Sequence, residues 1–205
     1  MVNCKFQNNI IQFFLAMKNL VLFILFFVGL IATTKAQYKF EKYNPKEATV
    51  TKEEFVLYEL INAYRKEKKL SEIKLSKALC HVAKVHAKDL EINLKNLTHA
   101  WSTCKYSDNQ SKTYRCMWDK PKELTSYNSI GYECAHGGEG GYVATATIAL
   151  DGWKSSTPHN NVIINKKIWK DVDWKAIGVG IYGGYATIWF GEHLDNDGSP
   201  KVASE

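Results

Sequence analysis

The chain has 205 residues, of which 45% are hydrophobic and 23% charged, and its formal net charge is +6 at pH 7. This length predicts a single domain that can bury a core. No run of five like charges and no basic stripe with interleaved aromatic residues occurs, which argues against nucleic acid as a partner.

The first 36 residues have the pattern of a cleaved secretory signal. Residues 20–32 are an unbroken apolar or small run, Lys18 precedes it, and Thr34 and Ala36 place small residues at −3 and −1 of a cleavage site. The run is shorter than the ~20 residues of a membrane span, although an uncleaved anchor is the alternative. Cleavage leaves 169 residues with a net charge of +3. The sequence therefore predicts a secreted protein, extracellular or periplasmic, with no stable membrane anchor.

Four cysteines follow the signal. An even number in a secreted chain favours two disulfides, for which three connectivities are possible. The polar segment 106–110 indicates a turn that brings Cys104 and Cys116 together, and this pairing leaves Cys80 for Cys134. A zinc cage is disfavoured because no C-x-x-C spacing occurs.

Two amphipathic helices come next. Thr51 and Glu54 form a capping box, and apolar residues at helical spacing predict a first helix over residues 52–69. Ser76 predicts the start of a second helix. His86 lies on the apolar face of this second helix, and we interpret it as a hydrogen-bonded core residue rather than a ligand.

A glycine-containing stretch then leads to a third helix. Glycine beside Glu133 predicts a tight turn that directs the carboxylate outwards. Apolar spacing predicts a helix over residues 142–153, with Trp153 buried where this helix meets the stretch. Pro158 prevents continuation of the helix and exposes His159 just beyond its end.

The last third of the chain changes to strand patterns. Residues 176–182 and 185–190 are rich in β-forming side chains and are joined by Gly183-Gly184, a two-residue hairpin signal. Helices that precede strands without βαβ alternation indicate an α+β domain.

Several motifs together resemble one family. Gly131-Tyr132-Glu133-Cys134-Ala135 resembles the Gly-Glu-Asn-Ile-Ala signature of the CAP superfamily (cysteine-rich secretory proteins, antigen 5, pathogenesis-related 1), and residues 153–159 are similar to the Trp-x-x-Ser-Pro-Gly-His segment of its bacterial members. The other motifs fall in family order: Asn62-Ala63-Tyr64-Arg65, Thr98-His99 and Ile177-Gly178-Val179-Gly180.

The resemblance implies a specific fold and domain layout. The fold would be a three-layer α-β-α sandwich of the CAP/SCP type, with a C-terminal β-hairpin, over residues 51–192. A linker at residues 37–50 would precede this domain, and a polar tail at residues 193–205, expected to fray, would follow it.

The same resemblance implies a cleft formed by His99, Glu133, Ser156 and His159. The family tetrad has two histidines and two glutamates, and here Ser156 occupies the place of the second glutamate. The clefts of family members hold a divalent metal in some cases, and other members bind lipid or sterol. His99, His159 and Glu133 would form a three-ligand site for zinc or another divalent cation, with one open position.

Three functions follow from these residues. The leading interpretation is a non-catalytic, secreted binding module with an unknown extracellular ligand. The alternative is a secreted hydrolase with Ser156 as nucleophile, His159 as base and Glu133 as orienting acid, although the chain lacks a Gly-x-Ser-x-Gly elbow. The third is a structural module in which the two histidines are only hydrogen-bonded.

Overall fold

The computed structural model describes residues 37–204, so the predicted signal at residues 1–36 lies outside the described residues. The strands, in chain order, are β1 (Thr49–Val50), β2 (Lys74–Leu75), β3 (Tyr132–Gly137), β4 (Ala176–Tyr182), β5 (Tyr185–Gly191) and β6 (Lys201–Val202). The α-helices are α1 (Lys52–Glu67), α2 (Lys77–Asp89), α3 (Arg115–Trp118), α4 (Lys120–Leu124), α5 (Ala146–Ser155) and α6 (Thr157–Ile163). A π-helical turn (Leu90–Leu94) extends α2, and 3-10 turns lie at Ser111–Thr113 and Lys167–Trp169.

The first two helices begin at the predicted caps. The Glu54 backbone N–H donates to Thr51 Oγ1 at 3.1 Å, and the Thr51 N–H donates to Glu54 Oε2 at 2.8 Å, which completes the capping box. At the start of α2, the Leu79 N–H donates to Ser76 Oγ at 3.0 Å. These side chains satisfy backbone donors that the first helical turn leaves unpaired, so both predicted starts are confirmed.

The central sheet has the strand order β2-β4-β5-β3. Strands β4 and β5 form the predicted hairpin, in which Tyr182 pairs with Tyr185 and Gly183 adopts a positive φ of 55°. Strand β3 pairs antiparallel with β5, and β2 pairs parallel with β4. The sheet therefore places β3, which carries Glu133, at the edge opposite β2.

Helices cover both faces of this sheet. Helix α2 lies close against one face at Gly178, where an added Cβ would approach the Leu79 backbone to 2.1 Å. The other face forms an apolar cluster with α1, α5 and α6, to which these helices contribute Leu57, Ile61, Trp153 and Ile163. The arrangement is an α-β-α sandwich, as predicted.

Two helix boundaries near the candidate site differ from the prediction. The third predicted helix begins at Ala146 rather than at residue 142, because Thr145 is its N-cap: its backbone is extended, and its Oγ1 accepts from the Ile148 N–H at 3.4 Å. Pro158 does not end the helical region but lies in the first turn of α6. Proline is tolerated there because the first helical N–H groups need no intrahelical partner. His159 therefore lies inside the first turn of a helix.

Of the two predicted disulfides, one is confirmed. Cys104 and Cys116 are bonded, with Cα atoms 5.7 Å apart. The predicted bridge between Cys80 and Cys134 is wrong, because both thiols are free and buried.

The sheet separates these two thiols. Cys80 lies on α2, and its Sγ accepts a hydrogen bond from the Val179 N–H on β4 at 3.5 Å. Cys134 lies on β3, two strands away from β4. Neighbouring strands lie ~4.8 Å apart, so this separation across the sheet keeps the two sulfur atoms too far apart to bond.

The ends of the described chain are joined to the domain. Strand β1 pairs parallel with β6, and Val50 is buried. Asp195 Oδ2 accepts hydrogen bonds from Ser76 Oγ at 2.7 Å and from the Ala78 N–H at 2.9 Å. The tail is therefore ordered, and the prediction from its polar composition that it frays is wrong. Within residues 37–204, no helix is long and apolar enough to cross a membrane.

Candidate functional site

Glu133 is the centre of a buried hydrogen-bond cluster. Its side chain is fully buried, and Oε1 contacts Nδ1 of His86, which lies on α2. The second oxygen, Oε2, lies 2.7 Å from Nδ1 of His99. The sequence predicted that this carboxylate points out of a glycine turn, but it points towards α2 because Glu133 belongs to strand β3. Both carboxylate oxygens therefore have an imidazole partner.

His86 is fixed by contacts on several sides. Its Nε2 lies 3.0 Å from the carbonyl oxygen of Ala100, and a carbonyl oxygen only accepts, so Nε2 carries a hydrogen. The ring stacks on Trp101 with centroids 4.2 Å apart and an interplanar angle of 12°. The edge of the Trp189 ring packs nearby. The interpretation of His86 as a hydrogen-bonded core residue is confirmed, and its partner is the candidate site residue Glu133.

The electrostatics of this cluster favour an ionised carboxylate. Burial raises the pKa of Glu133, but the neighbouring His86 and His99 outweigh burial and hold the pKa at about 2. The pKa of His99 responds in the opposite direction. Burial lowers it, but the hydrogen bond and the charge of Glu133 raise it above the ordinary value of 6.5. The contact between Glu133 and His99 contributes to both shifts, and the contribution of His86 to the pKa of Glu133 is larger.

The other side of the cleft is formed by His159, and Ser156 contacts this histidine. Nδ1 of His159 lies 2.8 Å from Ser156 Oγ, and the His159 ring faces His99 with centroids 6.5 Å apart. The pKa of His159 is lowered by burial and, to a smaller extent, by the charge of His99. No carboxylate forms a hydrogen bond with His159 in the described part of the chain, and the two oxygens of Glu133 contact the other two imidazoles.

His99 and His159 open into a cleft of about 280 Å³. The side chain of His99 is 24% exposed, whereas that of Glu133 behind it is inaccessible. The cleft carries imidazole, hydroxyl and carboxylate groups and two aliphatic side chains, those of Leu97 and Ala135. The full lining is Leu97, Thr98, His99, Tyr106, Ser107, Asp108, Ala135 and His159. It has donors and acceptors for a small polar group.

The predicted three-ligand metal site does not fit this arrangement. A ligand carboxylate must be within reach of the metal, and the side chain of Glu133 is inaccessible behind His99, with its oxygens turned to two histidines. Within residues 37–204, no group of three or more His, Cys, Asp or Glu side chains converges as metal ligands would. Binding of zinc or another divalent cation by His99, His159 and Glu133 stays a prediction, and no chemical step is derived from it.

The structure therefore brings together the four predicted site residues as two pairs, Glu133 with His99 and Ser156 with His159. It adds two residues that the sequence did not assign to the site. His86 binds the second carboxylate oxygen, and the Tyr106 ring packs edge-on against His99 with centroids 5.1 Å apart. The sequence indicated a special role for His86 only through its titratable side chain on an apolar helix face. For Tyr106, nothing in the sequence indicated a role in the site.

Comparisons with known proteins identify a family and a shared fold. The sequence profile of the cysteine-rich secretory protein family, CAP, matches residues 58–189. No curated protein matches the chain.

Solved structures of bacterial proteins share the fold. An extracellular protein containing an SCP domain from Bacillus anthracis has a TM-score of 0.50 and 20% identity, over 67% of this chain and 39% of that protein. An outer surface protein from Borrelia burgdorferi has a TM-score of 0.50 and 19% identity, over 76% of this chain and 99% of that protein. The chain thus spans less than half of the Bacillus protein. At these identities, the likeness shows a shared fold and nothing further.

Proposed function

The chain belongs to the CAP family of cysteine-rich secretory proteins, and we propose that it is a secreted, non-catalytic binding module whose cleft holds a small ligand between His99 and His159. The observation that carries this proposal is the engagement of both Glu133 oxygens. A carboxylate that is fully buried and doubly hydrogen-bonded orients a binding residue, but it is not free to take a proton from a substrate.

The lining of the cleft supports a ligand with a hydrogen-bonding group. Glu133 accepts from Nδ1 of His99 and raises the pKa of that ring, so Nε2 is the ring nitrogen left for a ligand, as an acceptor in the neutral ring and a donor in the protonated one. Thr98 and Tyr106 place hydroxyl-bearing side chains nearby. Leu97, which is 44% exposed, supplies an apolar contact at the rim.

The volume of the cleft limits what it can enclose. At about 280 Å³ it lies just below the ~300–1,000 Å³ range of small-molecule pockets. A lipid or sterol, the partner class that the family resemblance implies, would insert only a head group or one end, because two apolar side chains cannot line a site for a whole sterol. We therefore favour a small polar molecule or a polar head group.

A hydrolase is the less favoured candidate. One observation supports it, the 2.8 Å contact between His159 Nδ1 and Ser156 Oγ, which is the geometry of a nucleophile and its base. A triad also needs an acid that orients the base, and Glu133, the acid proposed from the sequence, is hydrogen-bonded to His86 and His99 instead. The pair then lacks the group that would stabilise a protonated His159.

Secretion is part of the proposal. It rests on the predicted signal at residues 1–36, on the Cys104–Cys116 disulfide, and on the extracellular or surface description of the two similar bacterial proteins.

Two measurements on the secreted protein test the proposal. Native mass spectrometry should detect a co-purified small molecule that His99→Ala and His159→Ala each lose and that the control Glu139→Ala, at an exposed loop residue, retains. A fluorophosphonate probe, which labels activated serines, should leave the protein unlabelled. Labelling that disappears in Ser156→Ala would replace the binding proposal with the hydrolase. Retention of the adduct in both histidine variants would show that the ligand lies elsewhere.

A further inference from the structure

A tight turn after α6 presents an isolated apolar side chain to solvent. We call residues 165–170 the lysine turn; its sequence is Asn-Lys-Lys-Ile-Trp-Lys. Ile168 at its tip is 83% exposed, which is the largest exposure among the large apolar side chains of the described chain. Trp169 beside it is half-buried. Leaving an isoleucine in water is unfavourable, so its position at the tip of an ordered turn needs an explanation.

The lysine turn is held in one conformation by side chains beneath it. Asn165 donates from Nδ2 to the carbonyl oxygens of Trp169 at 3.2 Å and Val172 at 2.7 Å. The buried Arg65 of α1 donates to Asn165 Oδ1 at 2.7 Å and so anchors the base of the turn. Asn165 and Lys167 have φ values of 50° and 56°, a region that non-glycine residues rarely occupy. Because these hydrogen bonds already fix the backbone of the turn, binding through Ile168 does not require the backbone to lose further conformational entropy.

The Trp169 ring links the turn to the domain. It packs edge-on against Tyr132 with centroids 5.0 Å apart and lies 5.5 Å from the buried Trp174. An anchored ring with a partly exposed edge is the arrangement that suits the boundary between water and lipid, where tryptophan is enriched.

Positive charges surround the exposed isoleucine. Lys166, Lys167 and Lys170 are all exposed. Of these, Lys170 has a carboxylate neighbour, Asp171, at a distance of 3.9 Å, and Lys166 and Lys167 form no ion pair in the described chain. Other strongly exposed apolar residues lack this setting: Val143, which is 67% exposed, follows the loop that contains Glu139.

We propose that the lysine turn docks the protein on an anionic lipid surface. Ile168 and the edge of Trp169 enter the interfacial region, while Lys166, Lys167 and Lys170 lie among the anionic head groups. An apolar tip alone would not identify its partner, but the charge of the flanking side chains is complementary to such a surface. The proposal concerns a surface separate from the cleft and does not depend on a cleft ligand.

Sedimentation with vesicles tests this docking. The secreted protein should co-sediment with vesicles of phosphatidylcholine and phosphatidylserine and not with vesicles of phosphatidylcholine alone. Raising the salt to about 1 M shortens the screening length to ~3 Å and should release it. Ile168→Glu should weaken binding by roughly tenfold or more, since it removes the inserted group and adds a negative charge. Lys166→Gln combined with Lys167→Gln should weaken it by a similar factor, because each lysine near the surface contributes roughly fivefold.

Matched controls separate docking from a general effect of charge. Val143→Glu makes the same chemical change at another exposed apolar residue, and Lys39→Gln with Lys46→Gln removes the same charge from other exposed lysines. Both controls should bind as the unmodified protein does. Ile168→Ser provides a second variant without added charge, and near-UV circular dichroism verifies that each variant is folded. Absence of sedimentation, equal binding to neutral vesicles, or equal losses in the control variants would overturn the proposal.

Discussion

The two sides of the cleft are built differently. On one side, Glu133 is fully buried and fixed by His86 and His99, and the stacked Trp101 closes the cluster. On the other side, His159 and Ser156 lie at the junction of α5 and α6 and contact each other without a carboxylate. The four residues that the sequence assigned to one site therefore have two roles. The Glu133 side orients and supports, and the His159 side is free to respond to a ligand.

Removal of Glu133 should show the largest difference between the two sides. We expect Glu133→Ala to lower the free energy of unfolding by about 3–5 kcal/mol, because it leaves His86 buried without its carboxylate partner. Urea unfolding followed by tryptophan fluorescence measures this loss. The control Glu139→Ala, at an exposed residue, should cost less than about 0.5 kcal/mol. A loss below about 1 kcal/mol in Glu133→Ala would mean that the buried cluster does not support the fold.

The disulfide supports the loop that carries Tyr106 into the cleft. In the chain-entropy model, the bond between Cys104 and Cys116 should contribute about 3 kcal/mol, so Cys104→Ser should lose roughly that amount. Thiol titration of the denatured, non-reduced protein should find two thiols, Cys80 and Cys134, in the described chain. In the native protein both should react slowly, because burial raises the pKa of each thiol, that of Cys80 to about 12. No reactive thiol under denaturing conditions would restore the second bridge.

Acid should weaken the buried side of the cleft first. The pKa of Glu133 is about 2 in the folded protein against an ordinary value of 4.5, so its contribution to stability is complete above pH 4.5 and is lost as the pH falls towards 2. The expected loss is on the order of 3 kcal/mol. Urea unfolding at pH 5 and at lower pH values measures it, and the same series with Glu133→Ala should lose this component. An unchanged acid dependence in the variant would assign the loss to other carboxylates.

Ser156 should show the smallest effect. Within residues 37–204, its hydroxyl forms a hydrogen bond only with His159, so Ser156→Ala should change the free energy of unfolding by less than about 0.5 kcal/mol. Under the same conditions, Glu133→Ala should lower the free energy of unfolding by about 3–5 kcal/mol, and this difference between the two variants measures the contrast between the two sides. A loss of 2 kcal/mol or more would place Ser156 among the supporting residues.

Local signals were sufficient to predict much of the fold. The capping box at Thr51 and Glu54, the cap at Ser76 and the Gly183-Gly184 hairpin each depend on neighbours within a few residues, and all three form as predicted. Pro158 was misjudged because a proline that ends one helix and a proline that begins the next have the same local sequence.

Long-range contacts were harder to predict from the sequence. The pairing of Cys80 with Cys134 followed from elimination, whereas the actual constraint is the strand order, which places Cys134 on β3 two strands away from β4, where the Cys80 sulfur lies. The family resemblance placed His99, Glu133 and His159 in one cleft. It could not show that His86 occupies the second oxygen of Glu133, because that contact depends on how closely α2 approaches the sheet.

The titration of His99 and His159 tests the difference between the two sides most directly. Glu133 contacts His99 and not His159, so in the unmodified protein the pKa of His99 should lie above 6.5 and that of His159 below it. NMR measurement of the imidazole resonances between pH 4 and 9, assigned with His99→Gln and His159→Gln, gives both values from one sample. A higher pKa for His99 than for His159 is the expected result. Equal values, or the reverse order, would contradict the assignment of Glu133 as the group that orients His99 in the cleft.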